Sequence, residues 1–209
     1  GADRLNGGAG ADALYGGRGP DVFTISASDA IADRISGGHG VDTVGVDPQF
    51  GAIHLANTRL MRGIERFDAR GQDILGTPGD DRLDFRVFDE VAGLAAARGG
   101  SGGDRIWGCD AADRLFGGRG DDRLHGGAGR DQLYGGRGAD LLEGGAGADL
   151  LRGGSGADTF RFRARTADGR DVIEDFDADG GDRVELKGYD FGSERPGRLS
   201  DGQKFAAVM

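Results

Sequence analysis

An aspartate returns every nine residues between Gly99 and Arg161. The stretch divides into GGSGGDRIW, GCDAADRLF, GGRGDDRLH, GGAGRDQLY, GGRGADLLE, GGAGADLLR and GGSGADTFR. Its sixth position is Asp104, Asp113, Asp122, Asp131, Asp140, Asp149 and Asp158 in turn. The same unit opens the chain as GGAGADALY and GGRGPDVFT, placing Asp12 and Asp21. Single or altered copies follow as GGHGVDTVG, with Asp42, and GTPGDDRLD, with Asp81. Carboxylates on short stems, set among glycines at fixed intervals, suit the coordination of a hard cation by oxygen.

The elements that must position these carboxylates follow from the other positions. The eighth is always apolar in the long array: Ile106, Leu115, Leu124, Leu133, Leu142, Leu151 and Phe160. Six residues of the form GGxGxD can make a tight turn, because glycine moves freely into positive φ. The next three can make a short strand with its middle side chain turned inward. Two nonapeptides then close one coil, and coils stack about 4.8 Å apart with their strands parallel. The expected fold is all-β, a parallel β-roll (a right-handed β-helix solenoid) with a thin core of Leu and Ile and a β-rich carboxy-terminal cap.

Stacking lines the aspartates into two columns, one through Asp104, Asp122, Asp140 and Asp158, the other through Asp113, Asp131 and Asp149. Like charges about 5 Å apart repel by roughly 1 kcal/mol per pair even in water. A divalent cation between successive turns turns that repulsion into coordination, with glycine carbonyls as further donors. Calcium fits better than magnesium, since it accepts six to eight oxygens in irregular geometry while magnesium requires a strict octahedron.

Composition agrees with this reading. Of 209 residues 44 are Gly, about three times the usual share of roughly 7%. Asp and Glu total 36 against 26 Lys and Arg, a formal charge of −10, and only six of the acids are Glu. Acids in periodic rows speak against nucleic acid as a partner. The lone Cys109 excludes an internal disulfide or a cysteine zinc cluster, and no apolar run reaches membrane-spanning length. The chain opens at Gly1 inside a repeat and closes at AAVM, so it reads as an excerpt of a longer protein.

These repeats resemble the glycine- and aspartate-rich nonapeptide of the RTX (repeats-in-toxin) proteins, a calcium-binding parallel β-roll repeat. The resemblance covers residues 99–161 and 1–24, with scattered copies between. The segment ADTFRFRA and then DVIEDFDADGGDRVELKGYDF is similar to the cap that follows the roll in serralysin-type metalloproteases and haemolysin-like proteins. The resemblance implies that each ion sits between turns eighteen residues apart. The earlier turn gives the carbonyls of its second and fourth residues, and the later one those of its first and third. One ion would take Gly118, Gly120 and Asp122 with Gly135, Arg137 and Asp140. Another would take Gly127, Gly129 and Asp131 with Gly144, Ala146 and Asp149. The same rule joins Gly100, Gly102 and Asp104 to Gly117, Arg119 and Asp122, and Gly136, Gly138 and Asp140 to Gly153, Ser155 and Asp158. It also places Gly126 and Ala128 opposite the turn of Asp113. That turn, GCDAAD, departs from the pattern, with Cys109 and Ala111 where glycine is expected. The cap implies a further calcium held by Asp175 and Asp182, against the alternative of a solvated acidic turn.

Other motifs carry less. Asp175 to Gly180 imitates the first half of an EF-hand loop, but position twelve is Leu186 and the flanks alternate like strands, so the EF-hand is rejected. Ser101 in GGSGG falls in a hydrolase-elbow pattern without a base nearby. His39, His54 and His125 show no metal-ligand spacing, and His39 and His125 are expected at the surface. Trp107, Tyr15 and Tyr134, at the ninth position, are expected to cover the roll. Arg105, Arg114, Arg119, Arg123 and Arg137 alternate with the aspartates and read as neutralising an acidic edge.

Four segments are expected: 1–24, a first roll; 25–98, an irregular β segment with degenerate repeats; 99–161, the main roll; and 162–209, the cap. In the irregular segment the apolar residues Ile53, Leu55, Leu60, Ile64, Phe67, Ile74 and Leu83 point to short strands, and Glu90–Ala97 to a brief helix. The resemblance implies a bacterial protein, secreted or on the cell surface, that passes the type I secretion machinery unfolded and folds on calcium outside. It leaves open an enclosing secreted enzyme (metalloprotease, lipase or polysaccharide-modifying) or an adhesin or surface-layer protein. Self-association through an exposed end of the roll stays open too. No catalytic constellation is found within these residues.

Overall fold

A computed structural model describes residues 1–8, 10–25, 33–47, 53–55, 57–58, 61–164, 169–188 and 206–207. The amino-terminal strands are β1 (Arg4–Asn6), β2 (Ala13–Arg18), β3 (Val22–Ile25), β4 (Arg34–His39), β5 (Thr43–Val46), β6 (Ile53–His54) and β7 (Met61–Arg62). The centre holds β8 (Arg66–Asp68), β9 (Asp73–Leu75), β10 (Arg82–Asp84), β11 (Glu90–Ala92), β12 (Ala96–Ser101) and β13 (Arg105–Trp107). The long array forms β14 (Arg114–Arg119), β15 (Arg123–Ala128), β16 (Gln132–Arg137), β17 (Leu141–Ala146), β18 (Leu150–Ser155) and β19 (Thr159–Arg163). After it come β20 (Val172–Ile173), β21 (Arg183–Lys187) and β22 (Ala206–Ala207). Every pairing between these strands is parallel, and the fold is a parallel β-roll.

In the long array alternate strands belong to opposite sheets. One sheet runs β10-β13-β15-β17-β19-β21, the other β22-β20-β18-β16-β14-β12-β9-β6. Leu115 pairs with Leu133 and Leu124 with Leu142, so two nonapeptides make one coil. The eighth-position residues from Ile106 to Phe160 are buried in a single core with Phe23, Val44, Phe67, Ile74 and Leu83. Strands β14 to β18 span six residues each, not the three expected from the repeat. The ladder resumes past the first glycine with the second glycine and the third turn residue, as Gly118 pairs with Gly136 and Arg119 with Arg137. Glycine backbones bring no side chain between the coils, so the turn itself can stack at strand spacing.

The centre is three-sided. β8 and β11 belong to a five-stranded sheet ordered β1-β3-β5-β8-β11, whereas β9 and β12, and β10 and β13, join the two sheets of the long array. Strands β2, β4 and β7 form a separate three-stranded sheet. From Asp81 to Asp104 a coil takes 23 residues, against 18 from Asp104 to Asp122. The wider section accommodates larger side chains: Phe67 packs edge-on against Phe85 at 5.8 Å and stacks on Phe88 at 5.1 Å.

Of the apolar ladder expected in the irregular segment, Phe67, Ile74 and Leu83 are buried within strands, and Leu55 and Ile64 are buried beside them. Leu60 lies outside the described residues. The helix expected over Glu90–Ala97 is not formed; β11 and the start of β12 occupy that stretch. Its alanines favour a helix in isolation, but Ala96 and Ala97 pair with Asp73 and Ile74 and are buried there. A 3-10 turn forms at Phe85–Val87, and among the described residues no helix is long and apolar enough to cross a membrane.

Candidate metal centre

Each nonapeptide turn carries its aspartate inward. Asp104, Asp122, Asp131, Asp140, Asp149 and Asp158 are at most 2% exposed, as are Asp21 and Asp42, while Asp12 is half-buried. One carboxylate oxygen of each has a backbone task. Asp104 N–H donates to Asp122 Oδ1 at 2.8 Å, Asp122 to Asp140 at 2.8 Å and Asp140 to Asp158 at 2.9 Å. The other column runs Asp113 to Asp131 at 2.8 Å and Asp131 to Asp149 at 2.9 Å. Toward the amino terminus Asp3 donates to Asp21 and Asp21 to Asp42, each at 2.8 Å. Every bond points the same way, from the backbone of one coil to the carboxylate of the next.

The second oxygen is the anomaly. In Asp12, Asp21, Asp42, Asp104, Asp122, Asp131, Asp140, Asp149 and Asp158, Oδ2 is buried and accepts no hydrogen bond. A buried carboxylate oxygen without a partner is costly. In the long array burial accordingly pushes Asp104, Asp131 and Asp140 up to about 7 and Asp122 to about 6. Asp149 and Asp158 are raised for the same reason. Neighbouring carboxylates add to the rise, Asp149 acting on Asp131 and Asp122 and Asp158 on Asp140.

Carbonyls enter the gaps between coils from both sides. The first glycine of a turn leaves room for its own carboxylate, since a Cβ on Gly117 would collide with Asp122 Oδ2 and approach the carbonyl of Gly135. The carbonyls of Gly135 and Gly153 thus point back toward the preceding coil, as do those of Gly126 and Gly144 in the other column. Gly118 and Gly120 take φ of +122° and +114°, and a Cβ on either would strike the carbonyl of Gly100 or Gly102, which point forward. By the same relation Gly118, Gly120, Gly127, Gly129, Gly136 and Gly138 direct their carbonyls at the next coil. Third-position carbonyls point back and accept an N–H, Arg119 from Gly102, Arg137 from Gly120, Ala146 from Gly129 and Ser155 from Gly138. Asp122, Asp140, Gly118, Gly120, Gly135 and Arg137 therefore border one gap between coils. Asp131, Asp149, Gly127, Gly129, Gly144 and Ala146 border another. Among the described residues no three His, Cys, Asp or Glu side chains gather into a cluster of their own. Backbone oxygens border most of each gap, with one carboxylate from each turn.

The carboxyl-terminal aspartates are placed differently from one another. Both oxygens of Asp175 accept N–H groups, from Gly153 and Gly154, at 2.9 Å. Asp182 continues the first column, accepting Asp158 N–H on Oδ1 and Asp177 N–H on Oδ2 at 2.8 Å. The two serve different turns. Three further column members lie outside the glycine repeat: Asp33 accepts from Asp12, Glu65 from Asp42 and Asp171 from Asp149. Their sequence signal is an acid followed by an apolar residue two positions on, in DRI, ERF and DVI.

The remaining residues keep to the surface. Arg105, Arg114, Arg119, Arg123 and Arg137 are exposed, and none of the ion pairs among the described residues joins them to a column aspartate. Tyr134 stacks on Phe116 at 4.7 Å, Trp107 lies beneath the guanidinium of Arg82 at 4.2 Å, and Tyr15 is 73% exposed. His39 is exposed, but His125 is half-buried, its Nδ1 3.3 Å from the carbonyl of Glu143. His125, Trp107, Glu143 and Arg163 line a groove of about 560 Å3, in which Arg163 pairs with Glu143.

The family model described as RTX calcium-binding nonapeptide repeat (4 copies) matches residues 1–23, 98–133 and 125–160. No curated protein matches the chain.

Proposed function

We propose that this chain, built on RTX calcium-binding nonapeptide repeats, uses its paired columns of turns to hold calcium and completes its fold when calcium binds. The observation that carries this reading is the row of buried, unpartnered Oδ2 atoms in the glycine turns. Bound calcium supplies the positive charge that those oxygens lack. The chain's own contribution is geometry. Asp122 and Asp140, with the carbonyls of Gly118, Gly120, Gly135 and Arg137, form one donor set. Asp131 and Asp149, with Gly127, Gly129, Gly144 and Ala146, form a second. Gly100, Gly102 and Asp104 meet Gly117, Arg119 and Asp122 in a third, and Gly136, Gly138 and Asp140 meet Gly153, Ser155 and Asp158 in a fourth. Asp12, Asp21 and Asp42 do the same in the amino-terminal coils.

Without the ion, burial of these carboxylates opposes closure and glycine favours the open chain. Ions that bind only the closed coils stabilise them by mass action, and shared aspartates make the transition steep. A bacterial cytosol poor in calcium then keeps the chain open for a type I exporter, and millimolar calcium outside the cell closes it.

The test is far-UV circular dichroism of chelator-treated protein during titration with calcium and then magnesium. A steep gain of β signal with calcium in the sub-millimolar to millimolar range, and little with magnesium, is expected. A chain fully folded in chelator and indifferent to calcium would overturn the reading.

A further inference from the structure

Two turns break the rule of the unpartnered oxygen. In Gly76–Asp81 and Gly108–Asp113 the second position is Thr77 and Cys109, where the other nonapeptide turns have glycine. The glycines there take positive φ, +111° at Gly100, +118° at Gly136 and +103° at Gly154. Among the described residues Arg70 is the one non-glycine with positive φ, so Thr77 and Cys109 hold ordinary backbone.

The carboxylates respond. Thr77 N–H donates to Asp81 Oδ2 at 2.5 Å, and its hydroxyl to Asp81 Oδ1 at 2.9 Å. Cys109 N–H donates to Asp113 Oδ2 at 2.7 Å, with Sγ 3.6 Å from Oδ1. Neither Asp81 nor Asp113 has the orphaned oxygen found in the glycine turns. Asp81 and Asp113 also head the two columns of the long array, since Asp81 N–H donates to Asp104 and Asp113 N–H to Asp131. Asp182, next after Asp158, likewise has its Oδ2 taken by the N–H of Asp177.

We infer that Thr77 and Cys109 close their turns to calcium. This rests on the calcium reading above and assigns the limits of each ion column. An N–H of the turn itself takes the oxygen that an ion would use, so the gaps Asp81/Asp104 and Asp113/Asp131 are held by hydrogen bonds. The open gaps of the array lie between glycine turns on both sides: Asp104/Asp122, Asp122/Asp140 and Asp140/Asp158 in one column, and Asp131/Asp149 in the other. The residue at the second position of a turn is the specificity-determining one.

Calcium stoichiometry by titration calorimetry on the full chain tests this, with Cys109→Gly, Thr77→Gly and Cys109→Ser beside the unaltered protein. Each glycine variant is expected to gain one ion per chain, and Cys109→Ser none. Should Cys109→Gly not fold in saturating calcium, Cys109→Asn replaces it, since Asn is the non-glycine residue that best tolerates the left-handed region. An unchanged count in folded variants, with several ions bound by the unaltered chain, overturns this inference while the calcium reading stands. No ion bound by the unaltered chain overturns both.

Discussion

At the scale of single residues, each column aspartate divides its work between two oxygens, one for the neighbouring backbone and one for a cation. Asp140→Asn separates the two. It keeps an acceptor for Asp122 N–H and removes the charge. Even a group that merely supports a metal ligand contributes about 10–100-fold to affinity. The calcium concentration at half-saturation should therefore rise at least about tenfold, while the calcium-free coil becomes easier to close. Calorimetry and circular dichroism on the same variant read these opposite signs. Proton binding works in the same sense. The folded calcium-free values of about 7 for Asp104, Asp131 and Asp140 lie above the ordinary carboxylate value of about 3.9. The closed form thus holds more protons than the open chain between about 4 and 7, so its stability is present at low pH and is lost as pH rises through about 7. In chelator, β signal should grow on acidification from pH 8 to pH 5; in calcium, the same change should weaken binding. A calcium-free spectrum indifferent to pH would contradict the assigned burial.

At the scale of the element, a strand and a turn merge into one stacked ribbon, and glycine is what lets them merge. Gly120→Ala would place a Cβ against the carbonyl of Gly102 at a φ of +114°. Strain of that kind costs about 1–3 kcal/mol before any clash is relieved. Arg119→Ala, one residue earlier and exposed, should stay within about 0.5 kcal/mol. Thermal unfolding in saturating calcium compares the two directly. In the strand half of the repeat, Leu133→Ala should cost about 2–5 kcal/mol, because the thin core cannot collapse around the loss. Period nine and the fixed eighth position made these ribbons legible from residue types alone. The six-residue strand length was not, because glycine carries no strand propensity and its pairing comes entirely from neighbouring coils. Glu90–Ala97 failed for a related reason: locally it favours a helix, and only long-range pairing with β8 and β9 extends it.

At the scale of the whole molecule, a long array of regular coils follows a wider three-sided centre with an aromatic core. Phe67, Phe85 and Phe88 bury far more apolar surface per coil than a pair of leucines. Residual structure in chelator should therefore concentrate within residues 61–107, with the long array open. Hydrogen exchange followed by peptide mass spectrometry would locate it; uniform exchange along the chain would contradict the expectation. The three-sided section left no trace in the periodicity, because its coil of 23 residues mixes three short strands with turns of unequal chemistry. Asp33, Glu65 and Asp171 escaped notice for the same reason, being column members without the glycines that mark the others.

The one-way hydrogen bonds along each column have a consequence for how such a molecule can change size. Every coil receives a donor from its predecessor and offers one to its successor, with a fixed spacing of 18 residues in the long array. A tandem duplication of two nonapeptides inserted between Asp122 and Asp140 would carry its own donor and acceptor for each column, so that one older bond in each column gives way to two of the same kind and the others stay as they are. Length is thus the property of this architecture most open to gene rearrangement, and relatives of different reach need differ in nothing else.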